Sequence, residues 1–446
     1  MNKKTFWILF AGTFLFLILS FGTFFLYTYT FTKIPKPISQ DPEDLHHLQT
    51  IRETHYPQKI LHTTSYTPQN QPEEVFAKAA ILIDSKTGTV LYEKNADTKI
   101  PPASMTKIAV MYVVMQEIDK GTISLQDQVK LPPESWAINL PSDASLMFLA
   151  EGQKVTLNEL LLGLAIASGN DAAIAVAHHV SGSVENFIER MNKEMVLLGL
   201  ENTHFVEPSG YSEKNITTAR DFATLARVYI EKYPESLKNY HSAQRIEYPQ
   251  NHNLASWHQP NQAIIQYNTN KALKVIPGAD GLKTGFIYES GYNLSFTAER
   301  NGTRFISVTM GGPGYGTVEG NKYRLLDAQN LIEWAFGNFE TVTSEQRQLS
   351  SLPIFGGKER YVPLTILMPS HITKPLSLTK EDSYAEKIDL PPYLENSVEK
   401  GQQIGEYTLL HNNIPYATMP IIATENVAEA NSLKKFIDSL AKKLLF

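Results

Sequence analysis

Lys3 and Lys4 are followed by an uncharged run from Thr5 to Phe31, dense in Phe, Leu and Ile. No other feature restricts the chain as much. A bilayer core needs roughly 20 apolar residues in helical form, and this run is longer than that. A removable signal segment ordinarily has an apolar core of about 7–15 residues and then a small-residue cleavage site. Here the run ends in Tyr27, Tyr29 and Phe31, an aromatic interfacial ending, without an A-x-A-like site. Residues 1–32 therefore read as an uncleaved transmembrane anchor in preference to a cleaved signal, and on either reading the remainder is exported. The basic start favours a cytoplasmic N-terminus, although Lys33 and Lys36 reduce the charge asymmetry. The expected location is the cytoplasmic membrane, with the folded part on its outer face.

Behind the anchor, residues 33–72 are polar and interrupted by Pro35, Pro37, Pro42, Pro57, Pro68 and Pro72, which predicts an extended tether. From 73 to 340 the pattern is that of a mixed domain. Ala79–Asp84 and Gly88–Tyr92 predict two strands around a polar turn. The stretch from Ala103 to Gln116 is apolar on nearly every face and predicts a buried helix. Helical periodicity recurs at Leu157–Ile166, Ala172–His179, Val184–Leu198, Ala219–Ile230 and Leu325–Phe336, and strand-like runs return at Tyr292–Ala298 and Phe305–Met310. Residues 341–430, with short β-branched runs between Pro, Gly and Asn, predict a small β-rich domain. Residues 431–446 place Leu433, Phe436, Ile437, Leu440, Ala441, Leu444 and Leu445 on one helical stripe flanked by lysines, which suits the membrane interface or packing on the chain's own domain.

The chemistry begins with Ser104-Met105-Thr106-Lys107. Residues i and i+3 of a helix share a face, so the Lys107 amine can reach the Ser104 hydroxyl. A serine becomes a good nucleophile when a neighbour takes its proton, and burial can lower a lysine's pKa enough to do this. Pro101 and Pro102 put Ser104 at a helix start, where free N–H groups can hold an oxyanion. Alone the spacing says little, because Ser377–Lys380, Ser397–Lys400, Ser432–Lys435 and Ser439–Lys442 share it. Ser168-Gly169-Asn170 is the sole S-x-N of the chain and lies where two helices meet; there a hydroxyl can relay a proton and an amide can hold a substrate. Lys283-Thr284-Gly285 can bind a carboxylate from a strand edge, with Gly admitting a close backbone. The same letters at Lys86-Thr87-Gly88 fall in a predicted hairpin turn. S-x-x-K, S-x-N and K-T-G in this order form the signature of penicillin-binding proteins and class A β-lactamases.

The wider motifs narrow the resemblance. Pro101–Lys107, Ser145-Leu146-Met147-Phe148, Ser168–Ala172, Thr218-Ala219-Arg220-Asp221, Asn268-x-Asn270 and Asp280–Gly285 resemble the low-molecular-mass D-alanyl-D-alanine carboxypeptidases of the penicillin-binding protein 5 type, peptidase family S11. Lys400–Gly405 is similar to that family's C-terminal domain, and the terminal amphipathic helix to its membrane anchor. The resemblance implies an α/β (α+β) catalytic domain like the serine β-lactamases and DD-peptidases, an antiparallel sheet with a helical region, followed by the β-rich domain. It implies that Ser104 attacks the bond between two terminal D-alanines of a peptidoglycan stem peptide, with Lys107 as base and Ser168 as a relay. Asn170 would orient the substrate, Lys283 and Thr284 would hold its carboxylate, and the N–H groups of Ser104 and Phe286 would form the oxyanion hole. Arg304 corresponds to a family arginine near the carboxylate pocket. Partners so implied are stem peptides, β-lactam inhibitors and the cytoplasmic membrane, with no cofactor. Thr269 between the two asparagines and Phe286-Ile287 after the K-T-G depart from the usual pattern.

Several rivals are weighed against this. A class A β-lactamase needs a general-base Glu in an E-x-x-L-N pattern after the S-x-N, which the sequence lacks, so slow loss of a penicilloyl group is expected. A D,D-endopeptidase would use the same residues, and a silent wall-binding scaffold would not need the complete set. A net charge of −6 over 446 residues leaves no basic footprint for nucleic acid. The absence of Cys excludes thiolate chemistry and Cys-based metal centres. His46-His47 and His178-His179 have no further ligand pattern that suggests zinc.

Overall fold

In a computed structural model, residues 3–29, 42–57, 60–64, 66–68, 70–255, 257, 263–345, 347 and 349–446 are described. They form two compact units. One comprises Gln58–Val342 with His371–Lys380, and the other comprises Met1–Pro57, Thr343–Ser370 and Glu381–Phe446.

The first unit is built on a six-stranded sheet of β1 (His62–Thr63), β2 (Ala79–Asp84), β3 (Thr89–Lys94), β4 (Ala279–Ile287), β5 (Gly291–Arg300) and β6 (Thr303–Gly312), in the order β1-β3-β2-β6-β5-β4. All neighbours are antiparallel, as expected, except the two-residue β1, which adds to β3 in parallel and makes the sheet mixed at that edge. The central strands are buried on both faces, which is why they read as continuous apolar runs instead of alternating ones. One face packs on the main core, where Ile81, Ile306 and Val308 meet the helix Lys107–Asp119 and Phe222 and Tyr229. On the other face Leu82, Phe296 and Phe305 meet Leu331, Ile332 and Ala335 of the helix Gly316–Asn338. β4, the Lys-Thr-Gly strand, is left at the sheet's edge.

The second unit holds an apolar helix, Lys3–Tyr29, long enough to cross a membrane and with none of its spanning window buried. Its small antiparallel sheet follows the order Leu364–Ile366, Ile414–Ala423, Gln403–His411, Tyr384–Asp389. The predicted tether is partly corrected. Residues 33–41 lie outside the described residues, but Pro42–His55 is a helix. Pro42 occupies its first position, where the missing N–H costs nothing, and Pro57 follows its end; two prolines read as breakers are in fact boundaries.

The terminal helix spans Ser432–Leu445. Leu433, Phe436 and Leu444 of the predicted stripe are exposed, whereas Ala441 is buried and Leu445 packs beside Phe355 and Tyr393. The helix thus docks on its own unit by one flank and presents the other.

Candidate active site

Ser104 sits in a tight 3-10 turn, Ala103–Thr106, immediately before the helix that Lys107 opens. In such a turn residues i and i+3 eclipse, and Lys107 Nζ lies 3.1 Å from Ser104 Oγ. The same nitrogen donates to Asn170 Oδ1 at 2.8 Å and to the backbone carbonyl of Ser209 at 2.5 Å. Burial pushes the Lys107 ammonium down to about 7, against the opposing pull of the Glu207 and Asp171 carboxylates. A lysine so tuned is substantially neutral at physiological pH and can accept a proton.

Ser168 ends the turn Gly163–Ala167 in the left-handed region, at φ 59°. Its Oγ is buried and has no hydrogen-bond partner among the described residues. A strained residue holding an unsatisfied hydroxyl is a cost that folding alone does not explain. Asn170 then begins the next helix, and Asp171 accepts N–H bonds from Met147, Phe148 and Leu149. That carboxylate fixes the Ser145–Phe148 segment beside the site.

Lys283, Thr284, Gly285 and Phe286 all lie on β4. Lys283 is buried, and its Nζ donates to the carbonyl of Thr284 at 3.1 Å. Burial holds its ammonium well below the ordinary lysine value, and the neighbouring cations Lys107 and Arg324 push it further. Thr284 Oγ1 is 2.7 Å from Thr269 Oγ1, so the residue between the two asparagines joins the K-T-G strand. Lys107, Lys283 and Arg324 lie buried close enough to disfavour one another's charge, and an anionic group bound beside them would favour their protonated forms.

Two expectations change. The close approach at Gly285 is made by the nucleophile turn: a Cβ there would stand 2.4 Å from the Pro102 carbonyl oxygen and 3.3 Å from the Met105 nitrogen. Gly285 therefore seats β4 against Ser104. Arg304 is not brought to the pocket. It faces Glu299, while Thr284 faces Leu294, five residues away along β5 (299 − 294), or about 16 Å. Its guanidinium clasps Asp280 through two 2.7 Å bonds and also reaches Glu299 and Thr297.

Sequence reasoning missed Glu207, Ser209 and Arg324. Glu207 accepts from Ser209 N and Oγ, Gly210 N and Asn215 Nδ2, and so shapes the loop that offers Ser209 O to Lys107. The Lys86–Gly88 decoy occupies the turn between β2 and β3. Among the described residues no group of His, Cys, Asp or Glu could hold a metal.

The family model for D-alanyl-D-alanine carboxypeptidase matches residues 65–314, and that for the penicillin-binding protein 5 C-terminal domain matches 339–429. D-alanyl-D-alanine carboxypeptidase DacF of Bacillus subtilis is 32% identical over 361 residues, 79% of this chain and 86% of that protein. The structure of penicillin-binding protein 5 from Haemophilus influenzae aligns with a TM-score of 0.68 at 32% identity, covering 81% of this chain and all of that one. Penicillin-binding protein D2 from Listeria monocytogenes, solved in a cefotaxime-bound form, aligns at 0.51 and 28% identity over 60% of this chain and 100% of its own. The chain belongs to the D-alanyl-D-alanine carboxypeptidases of peptidase family S11, serine-type hydrolases among the penicillin-binding proteins.

Proposed function

We propose that Ser104 carries the acyl group in removal of the terminal D-alanine from peptidoglycan stem peptides. The observation that supports this most is the buried Lys107 amine, 3.1 Å from Ser104 Oγ and with its pKa near 7. Ser104 Oγ attacks the carbonyl carbon of the penultimate D-alanine as Lys107 takes the hydroxyl proton. The N–H groups of Ser104 and Phe286 hold the developing oxyanion. Lys283 and Thr284 hold the terminal carboxylate, and Asn170 orients the peptide. As the carbon–nitrogen bond breaks, Ser168 passes a proton to the departing amine, and D-alanine leaves. Water then attacks the ester, giving its proton back to the site and releasing the shortened peptide.

The helix Lys3–Tyr29 anchors the chain in the cytoplasmic membrane, with the catalytic unit on the outer face. The exposed flank of the terminal helix, with Lys435 and Lys443 close by, lies on the same bilayer. A β-lactam occupies the stem-peptide site and acylates Ser104.

Incubation of the full chain with an acyl-D-alanyl-D-alanine pentapeptide tests this. The mass of the product should fall by one alanine, and fluorescent penicillin should label wild type but not Ser104→Ala. A wild type that neither labels nor cleaves would remove the enzyme reading.

A further inference from the structure

Asp438, on the terminal helix Ser432–Leu445, is fully buried. A helix that lies on a bilayer ordinarily leaves its acidic side chains in water. Here both carboxylate oxygens are engaged by partners from separate elements. Oδ2 accepts from Gly356 N at 2.7 Å and from Lys434 Nζ at 2.9 Å, and the same lysine reaches Gly357 O at 2.7 Å. Oδ1 accepts from the hydroxyl of Tyr27, 411 residues earlier, near the end of the helix Lys3–Tyr29. The guanidinium carbon of Arg360 stands 4.2 Å from the centre of the Tyr27 ring, a cation on an aromatic face. Phe24, one turn before, and Tyr27 pack with Leu445 and Tyr393 on Phe355 and Ala441.

The height of this contact follows from length. Lys4 and Phe24 are about 20 residues apart, or about 30 Å of helix, which is the thickness of a bilayer's hydrocarbon core. With Lys3 and Lys4 at the inner boundary, Phe24 and Tyr27 fall at the outer one, where aromatic side chains are favoured. Before Phe24 every described residue of that helix is exposed, so the helix meets its unit by its last turns alone. The chain beyond residues 30–41 is tied to the same unit, since Tyr56 Oη donates to Leu367 O at 3.0 Å. The terminal helix, for its part, exposes Leu433, Phe436, Leu440 and Leu444. Phe436 and Leu440 stand two residues either side of Asp438, about 160° around the helix from it. The apolar flank therefore faces away from the buried one, beside the outer end of a spanning helix.

We propose that the outer end of the anchor is a docked part of the second unit. Tyr27, seated between Asp438 and Arg360, fixes the terminal helix at the bilayer surface, and the two helices meet the outer leaflet as one continuous face. Without Tyr27, Asp438 Oδ1 would stay buried and lack that donor, a costly state for a carboxylate. The arrangement thus calls for the first helix to be retained in the mature chain. It rests on the membrane reading of Lys3–Tyr29 and is independent of the chemistry at Ser104.

The chain has no Cys, so thiol reporters can be placed singly or in pairs. The full chain carrying Phe24→Cys and Leu445→Cys, in vesicles of phosphatidylethanolamine and phosphatidylglycerol, is treated with a short bis-maleimide. A second preparation, Phe436→Cys, carries a polarity-sensitive fluorophore. The pair should cross-link within one chain, and the label at position 436 should emit as in hydrocarbon. Adding Tyr27→Ala should slow cross-linking about threefold or more, the scale of a lost buried hydrogen bond with its packing. Tyr27→Phe, which keeps the ring under Arg360, should lie between. A pair that does not cross-link in embedded protein, or a rate unmoved by Tyr27→Ala, would overturn the docking. Water-like emission at position 436 would overturn the shared lipid face, and a mature protein whose mass lacks residues 1–29 would overturn the whole. If alkaline carbonate strips the intact chain from the vesicles, the membrane reading itself falls, and this proposal with it.

Discussion

The amine of Lys107 is 2.5 Å from the backbone carbonyl oxygen of Ser209, 102 residues further along the chain. That carbonyl stands where it does because Glu207 gathers the surrounding loop, accepting from Ser209, Gly210 and Asn215. The proposed base is therefore addressed by one loop twice, through a neutral oxygen at contact distance and through a carboxylate whose charge opposes the effect of burial.

Glu207→Gln should move the pH dependence of acylation. Lys107 accepts a proton only when neutral, so acylation falls as pH drops through its pKa, about 7. The Glu207 charge raises that value, and its removal should shift the acid limb toward lower pH by about half a unit or more. Rates of fluorescent penicillin acylation from pH 5 to 9 check this. An unmoved limb would leave Glu207 as a loop support only. A loss of thermal stability is expected besides, since an amide nitrogen would face the N–H donors that the carboxylate now satisfies.

Lys107→Met should change the pH dependence of stability. The folded-state pKa is depressed from 10.5 to about 7, so between these values the unfolded chain binds the extra proton. The burden that Lys107 places on folding is then full below about 7 and fades as pH rises toward 10.5. Replacing it by a neutral side chain should raise Tm relative to wild type more at pH 6 than at pH 10. Equal shifts at the two pH values would contradict a buried, depressed lysine.

What was legible in the sequence was whatever depends on local spacing. Ser104 and Lys107 are three apart, so their meeting needs only a helical or 3-10 turn. The strands of the sheet's centre are continuous apolar runs, and the apolar run at the N-terminus is a helix by length alone. Contacts made by backbone atoms were not legible: the Ser209 carbonyl has no letter of its own. Nor was Arg324, because the helix was expected to begin only at Leu325, and its aim at Gly285 depends on how that helix crosses the sheet. Arg304 was misplaced for the opposite reason. An arginine on a strand near the K-T-G can serve the pocket only if its rung is level with Thr284, and register is a tertiary property. The prolines of residues 33–72 misled in a similar way, since Pro42 and Pro57 bound a helix that their number argued against.

Ser168→Ala should separate stability from activity. The hydroxyl is buried without a partner among the described residues, so its removal forfeits no hydrogen bond in the folded chain. Melting temperature should hold or rise, in keeping with a penalty of about 1–3 kcal/mol for an unsatisfied buried group. Peptide turnover should fall by about 10²-fold or more, the scale of a lost proton-transfer group. A clear loss of stability with turnover intact would assign Ser168 to the architecture of the helix junction instead.

Arg304→Ala should do the reverse. The side chain closes a bidentate pair with Asp280 and adds Glu299 and Thr297, fastening β6 to the start of β4 across β5. Its removal leaves Asp280, about a quarter exposed, without its cation. The cost in stability should be about 1–3 kcal/mol, typical of lost charge-assisted hydrogen bonds that are partly screened. Since the backbone rung of Arg304 lies five residues along β5 from that of Thr284 and its guanidinium is held by Asp280 and Thr297, KM for an acyl-D-alanyl-D-alanine peptide should stay within about twofold of wild type. Thermal melting and steady-state kinetics on the same preparation distinguish the two roles. A KM raised tenfold with unchanged Tm would return Arg304 to the carboxylate pocket.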